Sequence, residues 1–226
     1  MAFDFENGEM LLFDKPIRWT SFDLVKKIRG LSKAKKVGHA GTLDPLATGL
    51  MIICTGKLTK QIDNFQAMEK EYTGSFRLGV TTPSYDLEQE IDQTFPTSHI
   101  SETDILNTAL LFTGIISQFP PPHSAVKIGG KRAYEMARKG QTFEIKAREV
   151  VISTFEITGI QMPVVSFRVV CSKGTYIRSL AHDFGKSLQS GACLEVLCRT
   201  RIGDYKLENA MNLQEFIVKI DSNNVS

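Results

Sequence analysis

A chain of 226 residues with 42% hydrophobic and 23% charged residues can bury one large core or two small ones, which excludes an intrinsically disordered protein. Its apolar runs are too short to cross a bilayer, and four cysteines at 54, 171, 193 and 198 form no CxxC, which points to free, mostly buried thiols rather than a zinc or disulfide framework. The formal net charge of +2 does not advertise a nucleic-acid binder, and the acidic opening "MAFDFENGEM" lacks the basic start and cleavage site of a secretory signal, so the chain is expected in the cytoplasm.

In chain order, "EMLLFDKPIRWTS" reads as a short strand, a turn at Asp14 to Pro16 and a helix start at Thr20 or Ser21. Phe22, Leu24, Val25, Ile28 and Leu31 recur at helical spacing, and Asp23 suits a first turn. This helix is basic: "KKIRGLSKAKK", 26 to 36, holds Lys26, Lys27, Arg29, Lys33, Lys35 and Lys36 with no acid. Such a patch binds phosphates, although a merely solvated helix face is the ordinary alternative. It runs into "GHAGTLDPLATGL", 38 to 50, which is followed by the apolar run "LMIICTG", a buried strand.

Residues 71 to 82 partly alternate and read as a strand, acids collect in 86 to 104, and 100 to 112 has helical periodicity. The segment 118 to 140, with three consecutive prolines and a Gly-Gly, reads as irregular, with a short helix around 132 to 138. "REVVISTFEITGI" and "PVVSFRVVCS" follow as strands, "KGTYIRSLAHDFGKSL" as a turn and helix, and "LEVLCRTRIGDYKL" as a further strand. Strands outnumber helices and no repeat is present, so the expected class is α+β, built on a mostly antiparallel sheet flanked by helices.

Asp44 is the residue of interest in the loop 38 to 50. An Asp-Pro pair suits a structural cap on a turn of helix. Against that, Leu43 and Leu46 lower local solvation, Gly38, Gly41 and Gly49 let a ligand approach the backbone, and the core strand fixes the loop, which suits a nucleophile or base. The residues alone leave both readings open. The histidines at 39, 99, 123 and 182 show neither HxxxH nor HExxH spacing, so no metal site is expected. No GxSxG, GxGxxG or GxxxxGK occurs, and neither a serine hydrolase nor a nucleotide cofactor has support. Tyr72 is on its own an edge-strand aromatic, and Arg178, near a helix start, is either a surface arginine or the cation that keeps a buried carboxylate ionised.

Together "GHAGTLDPLATGLMIICTGKLTK", "KEYTGSFRLG", "FPPPHSAVKIGGKRAYEMARKG" and "CSKGTYIRSLAHDFG" resemble the TruB family of bacterial tRNA pseudouridine-55 synthases, from about Met10 to Tyr205. The resemblance implies the pseudouridine synthase fold, a central mixed sheet with an RNA-contacting insertion, and isomerisation of a T-loop uridine of tRNA without cofactor or metal. It puts the family's catalytic aspartate on Asp44 and its stacking tyrosine on Tyr72, with Arg178 paired to the acid. His39 falls beside the space that the flipped nucleotide vacates, and Tyr176 and Leu197 line the base pocket. Lys33, Lys35 and Lys36 then become phosphate contacts, and Lys127, Lys131 and Arg132 belong to the insertion that closes on the T-arm.

Three departures stand out: Arg18 replaces the usual glycine of an early turn, "TPSYD" (82 to 86) replaces Thr-x-Thr-x-Asp, and beyond Leu207 only a helix and tail remain where many relatives carry a PUA domain. The expected organisation is a catalytic domain over 1 to 207 and a C-terminal helix and tail over 208 to 226, without a complete PUA domain, in a protein expected to be monomeric and not membrane-bound. The rival readings are a non-catalytic tRNA-binding or folding protein on the same fold, and a carboxylate-dependent hydrolase.

Overall fold

The computed structural model describes residues 3–122 and 146–223, together with the backbone of 127–128 and 131–132. The first strand, β1 (Met10–Lys15), buries Leu11, Phe13 and Lys15 and leaves Asp14 exposed. The chain therefore turns after Lys15 rather than at Asp14, because Lys15 keeps the inward phase of the two apolar residues before it.

Helix α1 (Ser21–Ser32) opens on a capping box in which the Thr20 hydroxyl accepts from the Asp23 N–H and the Asp23 carboxylate accepts from the Thr20 N–H. It buries Leu24, Val25 and Ile28. A short strand, β2 (Val37–His39), precedes the Asp44 loop and pairs antiparallel with β3 (Thr48–Thr55), whose residues from Gly49 onward are all buried. A 3-10 turn over Gly56–Gln61 and α2 (Ile62–Ala67) lead to β4 (Lys70–Leu78).

Next come the strand pair β5 (Val80–Thr81) and β6 (Gln93–Thr94), helix α3 (Glu102–Leu111) and β7 (Gly114–Gln118). The pair β8 (Lys127–Ile128) and β9 (Lys131–Arg132) is followed by the long hairpin β10 (Arg148–Gln161) and β11 (Val164–Cys171). The chain ends with α4 (Ile177–Ser187), β12 (Ala192–Ile202), β13 (Tyr205–Lys206) and α5 (Leu213–Asn223). The short helix expected around 132 to 138 and the side chains of Lys127, Lys131 and Arg132 lie outside the described residues.

Two compact units divide the chain, and β4 and β12 contribute residues to both. The first comprises Met1–Tyr72 with Leu197–Ser226. In it β3 lies antiparallel to β1, with Leu12 opposite Ile52, and parallel to the end of β12, with Arg199 opposite Gly49, so the sheet is the expected mixed one. Leu50, Ile52 and Cys54 of β3 join Ala40, Phe65 and Ile202 in one apolar cluster. On the opposite strand face Phe13 meets Phe216 of α5 edge-on, with ring centroids 5.1 Å apart.

The second unit is Thr73–Val196, with strand order β12-β4-β11-β10-β7. Phe76 and Phe155 from its sheet meet Phe184 of α4, and Phe167 packs on Phe76 with centroids 4.3 Å apart. A Cβ at Gly185 of α4 would sit 2.3 Å from the Ala192 nitrogen, so glycine is what lets the helix reach the start of β12. Among the described residues no helix is long and apolar enough to cross a membrane.

Candidate active site

The loop between β2 and β3 holds Asp44 in a tight turn. Its carbonyl accepts from the Ala47 N–H at 3.1 Å, with Pro45 in the second position, where a fixed φ suits the turn. The Asp-Pro pair thus starts a reverse turn rather than capping a helix, and the Asp44 side chain is half-buried beside buried Leu43.

Several anchors immobilise this turn. The buried Ser21 hydroxyl donates to the Leu43 carbonyl at 3.0 Å and accepts from the Leu43 N–H at 2.8 Å. The Arg18 N–H donates to the Pro45 carbonyl at 2.7 Å. Lys15, with no exposed surface, donates from Nζ to the carbonyls of Trp19 at 2.6 Å, Pro16 at 3.0 Å and Pro45 at 3.4 Å. Burial pushes its ammonium down to about 8, and the negative charge of Asp44 is the largest opposing influence. From β12 the buried Arg199 guanidinium donates to the Leu50 carbonyl at 2.7 Å and the Gly41 carbonyl at 3.2 Å.

The loop glycines serve the protein's own packing. Gly49 has φ +101°, and a Cβ there would lie 2.4 Å from the Arg199 carbonyl oxygen, so the space expected to admit a ligand is filled by β12. At Gly38 the same space is filled by Ile62 of α2.

His39 ends β2 with its ring half-buried. Burial lowers its pKa, the Arg199 charge acts in the same direction, and a backbone hydrogen bond at Gly41 opposes them, so the ring is neutral at pH 7. Tyr72 is buried on β4, two residues beyond Lys70, whose ammonium donates to the carbonyls of Gln66 and Met68 and so closes the end of α2. Leu197 is buried on β12, and its carbonyl accepts from the Thr48 hydroxyl at 3.4 Å. Lys33, Lys35 and Lys36 are exposed, Lys35 lying 3.4 Å from Glu6.

His39, Asp44, Tyr72 and Leu197 fall in the first unit, and Tyr176 and Arg178 in the second. There Gln118, itself buried, clasps the backbone of Tyr176: its oxygen accepts from the Tyr176 N–H at 2.7 Å and its amide donates to the Tyr176 carbonyl at 3.0 Å. That clasp sets the start of α4, and Arg178 lies in the first turn. The Arg178 guanidinium is buried, donates to the Ser84 carbonyl at 3.1 Å and lies 3.7 Å from the Asp86 carboxylate. Asp86 in turn accepts from the Ser84 hydroxyl at 2.6 Å and the Glu88 N–H at 3.1 Å.

The sequence marks neither Lys15 nor Arg199 as a site residue, and it marks Asp86 only as the last residue of "TPSYD". The signal for Lys15 was its place two residues after Phe13 in an inward phase, and for Arg199 its place two after Leu197. Asp86 opens the acidic stretch 86 to 104 and is buried. What this arrangement can do is hold a half-buried carboxylate on a pinned turn, where it can attack or take a proton with little reorganisation.

Residues 29–177 match the sequence profile described as TruB family pseudouridylate synthase (N terminal domain). The chain is 56% identical over 220 residues to tRNA pseudouridine synthase B of Flavobacterium johnsoniae, covering 94% of this chain and 96% of that one. It is 52% identical over 229 residues to the protein of the same name from Phocaeicola vulgatus, covering 98% and 97%. Among solved structures, a chain from the crystal structure of a Cbf5-Nop10-Gar1 complex superposes with a TM-score of 0.72 at 30% identity, over 95% of this chain and 54% of that one.

Proposed function

The chain belongs to the TruB family of pseudouridylate synthases and has their fold, and we propose that it isomerises uridine to pseudouridine at position 55 in the T-loop of tRNA, with Asp44 as the nucleophile. In this reaction the bond from uracil N1 to ribose C1′ breaks, the base turns, and a bond from C5 to C1′ forms. The proton lost from C5 is balanced by one gained at N1. Electrons and atoms balance within the nucleotide, so the chemistry calls for no redox partner, energy carrier or metal.

A uridine stacked in an RNA loop must be flipped out before a carboxylate can reach it, at ribose C1′ or at base C6. In this reading Tyr72 stacks on the extruded base, and Tyr176 and Leu197 line its pocket. His39 stands beside the vacated space, and Arg178 supplies the positive charge that keeps the acid ionised. Lys33, Lys35 and Lys36 take phosphates of the T-arm. The catalytic domain is 1 to 207, followed by a helix and tail over 208 to 226, and the enzyme works as a cytoplasmic monomer.

The observation that carries the reading is the Asp44 turn, a half-buried acid on backbone pinned by Ser21, Arg18 and the buried Lys15 ammonium, in a chain of this family. The test is incubation with an unmodified tRNA transcript, without added metal or nucleotide, followed by mass spectrometry of the nucleosides and their positions. Product is expected at the T-loop uridine, and none from Asp44→Asn, which still binds the RNA. Activity of that variant equal to wild type sinks the nucleophile assignment; wild-type binding without product favours the non-catalytic RNA-binding rival.

A further inference from the structure

Outside the residues assigned to the target nucleotide, the first unit has a cavity of about 540 Å³ lined by Arg18, Trp19, Asp23, Lys26, Lys27 and Leu31, with Gly30 leaving its wall open. That volume is in the range of a pocket for a small organic group. The helical residues, at 23, 26, 27, 30 and 31, are spaced three and four apart and so share one face of α1. The remaining two come from the turn before the helix.

Three features define what this cavity recognises. The first is charge: Arg18, Lys26 and Lys27 have no ion-pair partner among the described residues, whereas the one acid, Asp23, is engaged by Thr20 in the capping box. The second is an aromatic face, since Trp19 lines the cavity beside these cations. Indole with nearby cations is the combination that holds a stacked base and its phosphates. The third is rigidity. The Trp19 carbonyl accepts from buried Lys15 at 2.6 Å, and the neighbouring Arg18 N–H bonds to Pro45, the residue after Asp44, at 2.7 Å. The cavity is therefore tied to the backbone of the Asp44 turn.

We propose that this cavity is a second nucleotide-binding subsite for the RNA substrate, in which one unpaired base stacks on Trp19 and Lys26, Lys27 and Arg18 hold the flanking phosphates. The inference rests on the reading of the chain as a tRNA-modifying enzyme and adds a contact away from the reacting uridine. An acidic peptide would satisfy the lysines but would leave the indole unused, which is why RNA is the occupant argued for. Phosphate contacts here position the strand and raise affinity; they take no part in bond breaking.

The chain contains one tryptophan and five tyrosines, so emission excited at the red edge of the indole band, beyond tyrosine absorption, reports on Trp19. Titrating unmodified tRNA transcript into the Asp44→Asn protein should quench the emission, saturating at the RNA concentration at which filter retention saturates. Poly-glutamate should leave it unchanged. In the active protein, Trp19→Ala should raise KM about tenfold, as expected for loss of one stacked base, and Trp19→Phe should recover most of that loss. The Lys26→Ala/Lys27→Ala double variant should raise KM while kcat stays within about twofold, and should lower the slope of log KM against log salt by roughly 1.4 to 1.8, the share of two phosphate contacts.

Unchanged emission under conditions where filter retention shows the RNA bound overturns the subsite while leaving the tRNA reading intact. So does a double variant with wild-type KM and salt slope, or quenching by poly-glutamate but not by RNA. If no RNA is retained and no pseudouridine is formed by the wild-type protein, the tRNA reading fails and the subsite falls with it.

Discussion

Arg18 adopts φ +67°, a left-handed conformation that costs an L-residue with a Cβ roughly 1–2 kcal/mol. Glycine stands here in the family pattern for that reason, and glycine returns roughly 0.5–1 kcal/mol of the gain through its more flexible unfolded chain. Arg18→Gly is therefore expected to stabilise the fold by about 0.5 kcal/mol in denaturant titration, while weakening RNA binding through the lost guanidinium. A destabilised variant would show that the Arg18 side chain contributes more to the fold than its backbone strain costs. Lys15 offers a pH test. Its pKa lies near 8 instead of the ordinary 10.5, so between those values the unfolded chain holds a proton that the folded chain has released. Stability contributed at this position therefore rises with pH across that window, by up to about 3 kcal/mol. The stability of wild type relative to Lys15→Met, followed by urea unfolding from pH 7 to 10, should rise with pH; a difference independent of pH would mean that Lys15 titrates normally. At this scale Asp44 is visible in the sequence because its neighbours are themselves unusual, whereas Lys15 reads only as a residue of the turn Asp14 to Pro16.

At the scale of elements, the caps carry testable weight. Thr20→Ala removes the hydroxyl that accepts from Asp23 and should cost about 1 kcal/mol in thermal or urea unfolding, with Thr20→Ser close to wild type. Gln118 matters differently, since it satisfies both backbone groups of Tyr176 at the start of α4. Gln118→Met keeps the volume but leaves those groups unpaired, at about 1–3 kcal/mol, and should disturb the helix turn that carries Arg178. In the assay for pseudouridine, kcat should then fall more than stability at the assay temperature explains. Elements with a long period were legible: β3, α1 and the β10–β11 hairpin all lie where hydropathy places them. Strand β2, with three residues, and α2, with six, are too short to show a period and are ordered by what they pack against.

For the whole molecule, the four cysteines are free, and Cys54, Cys171 and Cys193 are buried. Burial raises the thiols of Cys54 and Cys193 to about 11 and that of Cys198 in the same direction. Thiolate is then scarce at neutral pH, and a thiol-specific reagent should label the native protein slowly and all four positions at once in denaturant. Fast labelling of several thiols in the native protein would contradict this core. Sequence by itself determined the secondary structure with strong periodicity, the acid loop and the basic helix before it, because each depends on neighbours within a few residues. The tertiary structure alone decided how that loop is held. Arg199 reaches the Leu50 carbonyl across 149 positions of sequence, and Arg178 reaches Ser84 across 94. Such contacts depend on strand register and on which backbone carbonyls are left unpaired inside the fold, quantities that local patterns of residue type do not encode.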